Sequence, residues 1–365
     1  MIRQNFNADW TVEKGDGNSR MNSFLGNTQT KTVHLPYDAM IHEARTPDTK
    51  NGAQTGFYPG GEYIFQKHFT APQAWQGKPV SLVFEGVYQT ALVYLNGWLL
   101  TRNMNGYAEF TVEAGPYLKY GADNLLKVIA DNSLEPNSRW YTGSGIYRPV
   151  RLLVGNKVYL PQDTVRITTR EADESFALLD VTAQVQSAST VTERVTLQQT
   201  ICREGAAVLT DRQNLLLQPG ESRTVSFRYC VDSPALWSPE DPNLYTSIMQ
   251  VLEGEEELDR EETRFGIRTL SIDAAHGVRI NGQTVKLRGA CIHHDNGILG
   301  AATLPDAEER RIRQLKEAGF NAIRSSHHPA GRALLDACDR YGVLVMDELS
   351  DVWNLRRILT TMPVL

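Results

Sequence analysis

At 365 residues the chain has room for two or three domains, and 41% hydrophobic with 22% charged residues is the composition of an ordinary globular protein. A formal net charge of −6 without any basic tract excludes an electrostatic footprint for nucleic acid. No apolar run is long enough to span a bilayer, and MIRQNFNADW lacks the apolar core of a signal peptide, so no membrane partner is expected; four cysteines without CxxC spacing point to a reducing compartment, the cytoplasm.

Residues 1–154 read as all-β. Short alternating runs are separated by turn residues: Tyr63 to Thr70, Val80 to Glu85, Ala91 to Leu95, Leu125 to Ala130 and Val150 to Val154. Asn96-Gly97 between VYL and WLL is a type I′ hairpin signal, because both turn positions need φ above zero. Many short strands with Gly and Pro turns predict a jelly-roll sandwich. Aromatic and polar residues cluster between strands in GFYPGGEY and SRWYTGSGIYR. Such clusters suit sugar rings, which offer apolar C–H faces and hydroxyl edges, or they pack loops onto the sandwich.

Residues 155–270 predict a second β domain. Ala177, Leu179, Val181, Ala183 and Val185 alternate strictly, which buries one face. Pro219-Gly220 and the acidic tip from Glu253 to Glu257 mark turns. About seven short strands fit an immunoglobulin-like sandwich that acts as a spacer. The four cysteines (Cys202, Cys230, Cys291, Cys338) have no CxxC spacing and read as free thiols, with a Cys202–Cys230 disulfide as the alternative.

Residues 271–365 change grammar to strand, helix, strand, helix, strand. Val285 and Leu287 lead into Arg288-Gly289 and then His293-His294-Asp295. Pro305 opens a helix with Asp306, Glu308 and Glu309 in its first turn, where acids suit the helix dipole. Ile312, Leu315 and Ala318 form its apolar stripe, Gly319 ends it, and Arg310, Arg311 and Arg313 read as a solvated face. A strand from Phe320 to Ser325 delivers Arg324 and then His327-His328-Pro329. A second helix carries Leu334, Leu335 and Cys338, stops at Gly342, and leads through Val343 to Met346 into Asp347-Glu348. In parallel α/β folds ligands sit at the carboxyl ends of strands, and all three polar clusters fall there. The stretch therefore predicts the start of a TIM-type barrel.

Neighbouring residues on a strand face opposite sides, so each His pair offers one imidazole to the barrel mouth. A metal site would favour an H-x-H pair, and this chain offers H-H, so neither a metal nor any other cofactor is expected. Arg324 either orients a carboxylate through its two-pronged donor face or makes a structural salt bridge.

Several segments in order resemble glycoside hydrolase family 2, most closely its β-galactosidase branch. They are Phe84-Glu85-Gly86-Val87, Val93 to Gly97, Ser138 to Arg148, Arg264 to Arg268, Arg288-Gly289 with His293 to Asp295, Asn321 to Arg324 with Ser326, His327 and Pro329, and Asp347-Glu348. The resemblance implies a sugar-binding domain, an immunoglobulin-like domain and a barrel, and a retaining glycosidase that cleaves terminal β-galactosides through a covalent glycosyl-enzyme. It implies that His293 and His327 contact the sugar, that Arg324 holds the nucleophilic Glu, and that Asn137 and Arg139 reach the site. Asp351 and Trp353 would line the pocket. β-Glucuronidase or β-mannosidase specificity, a non-catalytic carbohydrate-binding protein, and a metallohydrolase using the His pairs are the alternatives.

One departure from the family stands out. In the family the acid/base Glu follows an Asn at the fourth barrel strand and the nucleophile ends the seventh, but this chain has no Asn-Glu dipeptide. Val285 to Leu365 holds three strands, against about 250 residues for a whole (β/α)₈ barrel. Both catalytic Glu residues are therefore expected to be absent and the chain inactive alone. The open sheet edge predicts a covering partner or a homo-oligomer.

Overall fold

The computed structural model describes residues 1–15, 30–49, 51–133 and 137–350. Asp351 and Trp353 lie outside them.

The first domain packs two antiparallel sheets face to face. The larger has six strands in the order Lys31–Val33, Trp10–Gly15, Gly61–Thr70, Asp123–Asn132, Thr90–Leu95 and Trp98–Asn103. The smaller runs Ile2–Asn5, Val150–Val154, Val80–Phe84 and Phe110–Glu113. Strict alternation sets which side chains meet between them: Leu126, Val128 and Ala130 from one strand are fully buried, as are Leu82 and Phe84 from its opposite sheet. Asn96 and Gly97 take φ 52° and 89° at the predicted hairpin.

The second domain is likewise a sandwich. One sheet centres on Phe176–Ser187, which pairs with Arg166–Ala172 and Ser222–Asp232. The other runs Ala206–Leu217, Glu193–Arg203, Tyr245–Glu253 and Glu256–Phe265. Ala177, Leu179, Val181, Ala183 and Val185 all face the shared core. All four cysteines are free thiols.

A small antiparallel meander, Leu270–Asp273, Gly277–Ile280 and Gln283–Thr284, then precedes the barrel. No sequence pattern predicts these strands, because Leu270 and Ile272 are exposed and leave no buried stripe to follow. Three parallel strands come next: Gly289–Ile292, Ala322–Ser325 and Leu344–Met346. Helix α1 (Pro305–Glu317) follows the first and helix α2 (Arg332–Tyr341) the second. Pro305 starts α1 at a position where its missing N–H costs nothing, and Gly342 at φ 68° closes α2 in the left-handed conformation a side chain resists. Ile312, Ile323, Leu334, Ala337, Cys338 and Val343 make the small core beneath them.

This wall is stitched to both sandwiches. Buried Arg148 donates to Pro329 O at 2.9 Å and Tyr107 O at 2.7 Å. Trp237 Nε1 donates to Asp339 O at 2.9 Å, and Lys316 Nζ to Gly342 O at 3.2 Å and to Pro239 O. Asp38, 1% exposed, joins two loops: Oδ1 accepts from Met40 and Ser144 N–H at 3.0 Å each, and Oδ2 from Tyr141 OH at 2.6 Å and Ala301 N–H at 2.8 Å. Gly143 and Gly300 let those loops approach, since a Cβ on either would lie 2.7 and 2.2 Å from Asp38 Oδ2. Burial raises the Asp38 pKa against the hydrogen bonds that lower it. Among the described residues no helix is long and apolar enough to cross a membrane.

Candidate functional site

The ends of the three parallel strands meet one loop of the first domain. His293 follows the first strand, Arg324 lies within the second with His327 just beyond it, and Glu348 follows the third. A fifth residue, Trp140, joins these four from the loop Ser138 to Gly145. Its ring stacks on His293 with centroids 5.2 Å apart and planes 25° apart, and is tilted by 48° over His327, also at 5.2 Å. The His293 and His327 rings are 5.7 Å apart, edge to face. One aromatic ring and two imidazoles therefore form a single half-buried surface with apolar faces and polar edges.

Behind that surface runs a charged network. Arg324 Nε donates to Glu348 Oε1, and His327 Nδ1 lies 3.1 Å from Glu348 Oε2. A carboxylate only accepts, so Nδ1 carries the proton and His327 Nε2 is left for a ligand. Arg324 Nη2 lies 3.4 Å from the same Nδ1, a longer contact that gives way, because an N–H cannot also accept. Burial opposes charge on Glu348, but the hydrogen bonds from Arg324 and His327 outweigh it and hold its carboxyl below the usual range. Asp347 points elsewhere, and its Oδ1 accepts from Ala330 N–H at 2.9 Å. Burial lowers the His293 pKa, opposed by Asp295 and aided by His327.

The two His-His pairs divide. His293 and His327 meet at Trp140, while His294 (7% exposed) and His328 (2%) turn inward and bond to one another, Nδ1 of His294 to Nε2 of His328 at 3.0 Å. Among the described residues no group of three His, Cys, Asp or Glu side chains could hold a metal ion.

Of the other residues singled out, Asn137 spends its amide locally: Nδ2 donates to Asn132 Oδ1 at 2.6 Å, and Tyr88 OH donates to its Oδ1 at 3.1 Å. It shapes the loop beneath Trp140. Arg139 is exposed on the same loop. Arg311 departs from the solvated-face reading: Nη1 donates to His293 O at 2.8 Å and Nη2 to Asp295 O at 2.5 Å, so it fixes the loop after the first strand. Helical periodicity along α1 does not reveal those partners, because they lie on a loop outside the helix. Trp140 lay within the recognised SRWYTGSGIYR segment, but only the fold shows which of its aromatics reaches the barrel.

Comparison with known proteins identifies the family and the fold. Family models for the glycosyl hydrolase 2 galactose-binding domain-like region match residues 10–188, for glycosyl hydrolases family 2 residues 158–268, and for the family 2 TIM barrel domain residues 274–355. Beta-galactosidase BoGH2A of Bacteroides ovatus is 37% identical over 97% of this chain and 42% of its own length. A putative beta-glucuronidase of Formosa agariphila is 32% identical over 97% of this chain and 33% of its own length. The crystal structure of a glycosyl hydrolase family 2 member from Bacteroides cellulosilyticus superposes with a TM-score of 0.91 at 35% identity, covering 97% of this chain and 46% of that one. The chain thus spans less than half the length of these relatives. Matched along nearly all of its length by models of one family, and sharing a fold with its members, the chain belongs to glycosyl hydrolase family 2.

Proposed function

We propose that the chain supplies the sugar-recognition wall of a retaining β-glycosidase of the β-galactosidase type. The observation that carries this reading is the convergence of Trp140 with His293 and His327, backed by Arg324 and Glu348. An indole face packs on sugar C–H groups, and imidazole nitrogens at its rim bond hydroxyls. Functionally, residues 1–154 act as the sugar-binding domain, 155–270 as a spacer, and 271–365 as the beginning of the catalytic barrel.

Retaining hydrolysis requires two carboxyl groups about 5–5.5 Å apart, one as acid/base and one as nucleophile. The acids after the third strand do not supply that pair: Glu348 is bound by Arg324 and His327, and Asp347 is turned to Ala330. The chain by itself is therefore read as recognising sugar without turning it over. Glucuronide specificity has support in the putative beta-glucuronidase relative. Arg324, however, is already paired with Glu348 and so is not the cation a glucuronide carboxylate would need.

Calorimetric titration of the chain with methyl β-galactoside and methyl β-glucuronide, beside a chromogenic assay, tests the proposal. Galactoside binding with a Kd of about 1 mM is expected. It should be lost in Trp140→Ala and His327→Ala, with no turnover. Turnover by the chain overturns its incompleteness, absence of binding overturns the recognition wall, and tighter glucuronide binding reverses the specificity.

A further inference from the structure

Behind the recognition wall lies a buried pair of imidazoles with no part in sugar contact. His294 Nε2 is 2.8 Å from Thr142 O, His294 Nδ1 is 3.0 Å from His328 Nε2, and His328 Nδ1 is 3.2 Å from Pro329 O. A proton count settles the roles. A carbonyl only accepts, so His294 Nε2 carries a proton and donates to Thr142. His294 Nδ1 is then a lone pair, and it needs a donor 3.0 Å away. That donor is His328 Nε2–H, which leaves His328 Nδ1 unprotonated opposite the Pro329 carbonyl. Moving only the His328 proton to Nδ1 would set two lone pairs against each other at 3.0 Å between the rings, and reversing both rings would set the His294 Nε2 lone pair against Thr142 O at 2.8 Å, the shortest of the three contacts. Three contacts share two protons, and the weakest one goes without.

Burial, foremost, and the nearby positive groups favour this uncharged form, against the Thr142 and Pro329 carbonyls, which favour charge. Tyr107 stacks on His328 at 4.1 Å and 7°, Tyr147 lies 5.3 Å from His294, and Arg148 presents a positive charge. His293 and His327 are the neighbouring imidazoles on the same strands. A cavity of ≈ 10 Å³, about one water, is lined by Arg148, His293, His294, Glu308, Arg311 and His328. Glu308 on α1 is the acid there. It is 2% exposed, and burial raises its pKa more than Arg311 and Arg148 lower it. Burial likewise pushes His294 well below its ordinary value and His328 to about 3.

We propose that His294 and His328 are positioning residues, whose hydrogen-bonded chain from Thr142 sets the placement of His293 and His327 on the recognition wall. Each is the next residue after a wall histidine, so fixing one ring fixes its neighbour's backbone. Thr142 lies two residues beyond Trp140, so the same chain ties both histidines to the loop that carries the stacking ring. This inference rests on the proposed sugar-binding role of that wall.

The full chain with ¹⁵N-labelled histidine provides the test, through imidazole ¹H–¹⁵N correlation spectra from about pH 7.5 to about pH 5, spanning the ordinary imidazole range. Expected are two neutral Nε2–H tautomers at His294 and His328 that do not change across that range. His328→Phe keeps a ring against Tyr107 but cannot donate. It should shift the His293 and His327 resonances and weaken methyl β-galactoside binding about ten-fold, equivalent to about 1.4 kcal/mol. His328→Gln restores a donor near the Nε2 position and should recover most of that loss. A proton on His328 Nδ1, or unmoved His293 and His327 resonances in His328→Phe, overturns the inference. Should His328→Phe not fold, the wild-type tautomers and His328→Gln decide it. Should the wild-type chain bind no sugar, the recognition reading fails, and the tautomers and wall resonances still judge the pair.

Discussion

The first β-sandwich and the barrel wall are held by different physics. The sandwich closes an apolar core in which Trp10, Phe65, Phe84, Leu82 and Leu126 are all fully buried. The wall has three short parallel strands, two helices and a core of six buried residues. It leaves Met346 and Leu349 exposed on its last strand and the loop after it. Its strand ends are held by polar stitching to the sandwiches instead, through Arg148, Asp38, Trp237 and the His294–His328 pair. Apolar burial is non-directional and tolerant, whereas buried hydrogen bonds are directional and costly to leave unmade. The site therefore sits where geometry is fixed by the directional kind.

Breaking the sandwich should have the largest effect. Phe65→Ala removes a fully buried ring beneath the Gly145 loop and is expected to cost about 3–5 kcal/mol in denaturant unfolding. A loss below about 1 kcal/mol would mean the core repacks, and the contrast with the wall would weaken.

Acid should loosen the wall selectively. The folded-state pKa of His328 is depressed to about 3, against about 6.5 in the unfolded chain. The folded chain then binds fewer protons than the unfolded one between those values, so stability is full above about pH 6.5 and falls as pH drops toward 3. The slope is about 1.4 kcal/mol per pH unit for this imidazole, and His294 acts in the same sense. Hydrogen exchange at pH 5 should therefore quicken in residues 289–346 before it does in the sandwich. Uniform acceleration would show that the two regions open together.

Asp38→Ala tests the stitch at its most connected point. Four donors lose their acceptor, and a loss of about 2–3 kcal/mol is expected. Weaker sugar binding should accompany it, because the Trp140 loop loses its tie to Ala301. Asp38→Asn, which keeps acceptor capacity at one atom, should lose about half as much. The smallest effect is expected at the rim. Arg332 donates to Glu109 at 2.8 and 3.0 Å and also to Asp163, but it is 43% exposed, so Arg332→Ala should cost about 0.5–1 kcal/mol, less at high salt. A larger loss would make ion pairing a main support of the wall.

Much of the architecture was legible in the residues. The alternation of Ala177 to Val185, the Asn96-Gly97 turn, and the Pro305 start and Gly342 stop are local signals that act on their own backbone, and each appears where its pattern put it. The meander of residues 270–284 was missed because its apolar side chains face outward. At the site, His293 and His294 diverge as expected, and likewise His327 and His328, although both pairs lie just beyond their strands, where alternation no longer dictates direction.

The sequence by itself determined the strand and helix grammar, the family, and which residue types stand at the three strand ends. It did so because periodicity, caps and turns are encoded within a few neighbouring residues. Only the tertiary structure decided that Trp140 comes across from the first domain to stack on His293, that Arg311 folds back onto His293 and Asp295, that Glu348 engages Arg324 and His327, and that His294 finds His328 and Thr142. Several of those partners lie scores of residues apart, and His294 and Thr142 are separated by 152. No local pattern encodes such pairings. They follow from where the packed sandwich and the parallel strands bring their ends together.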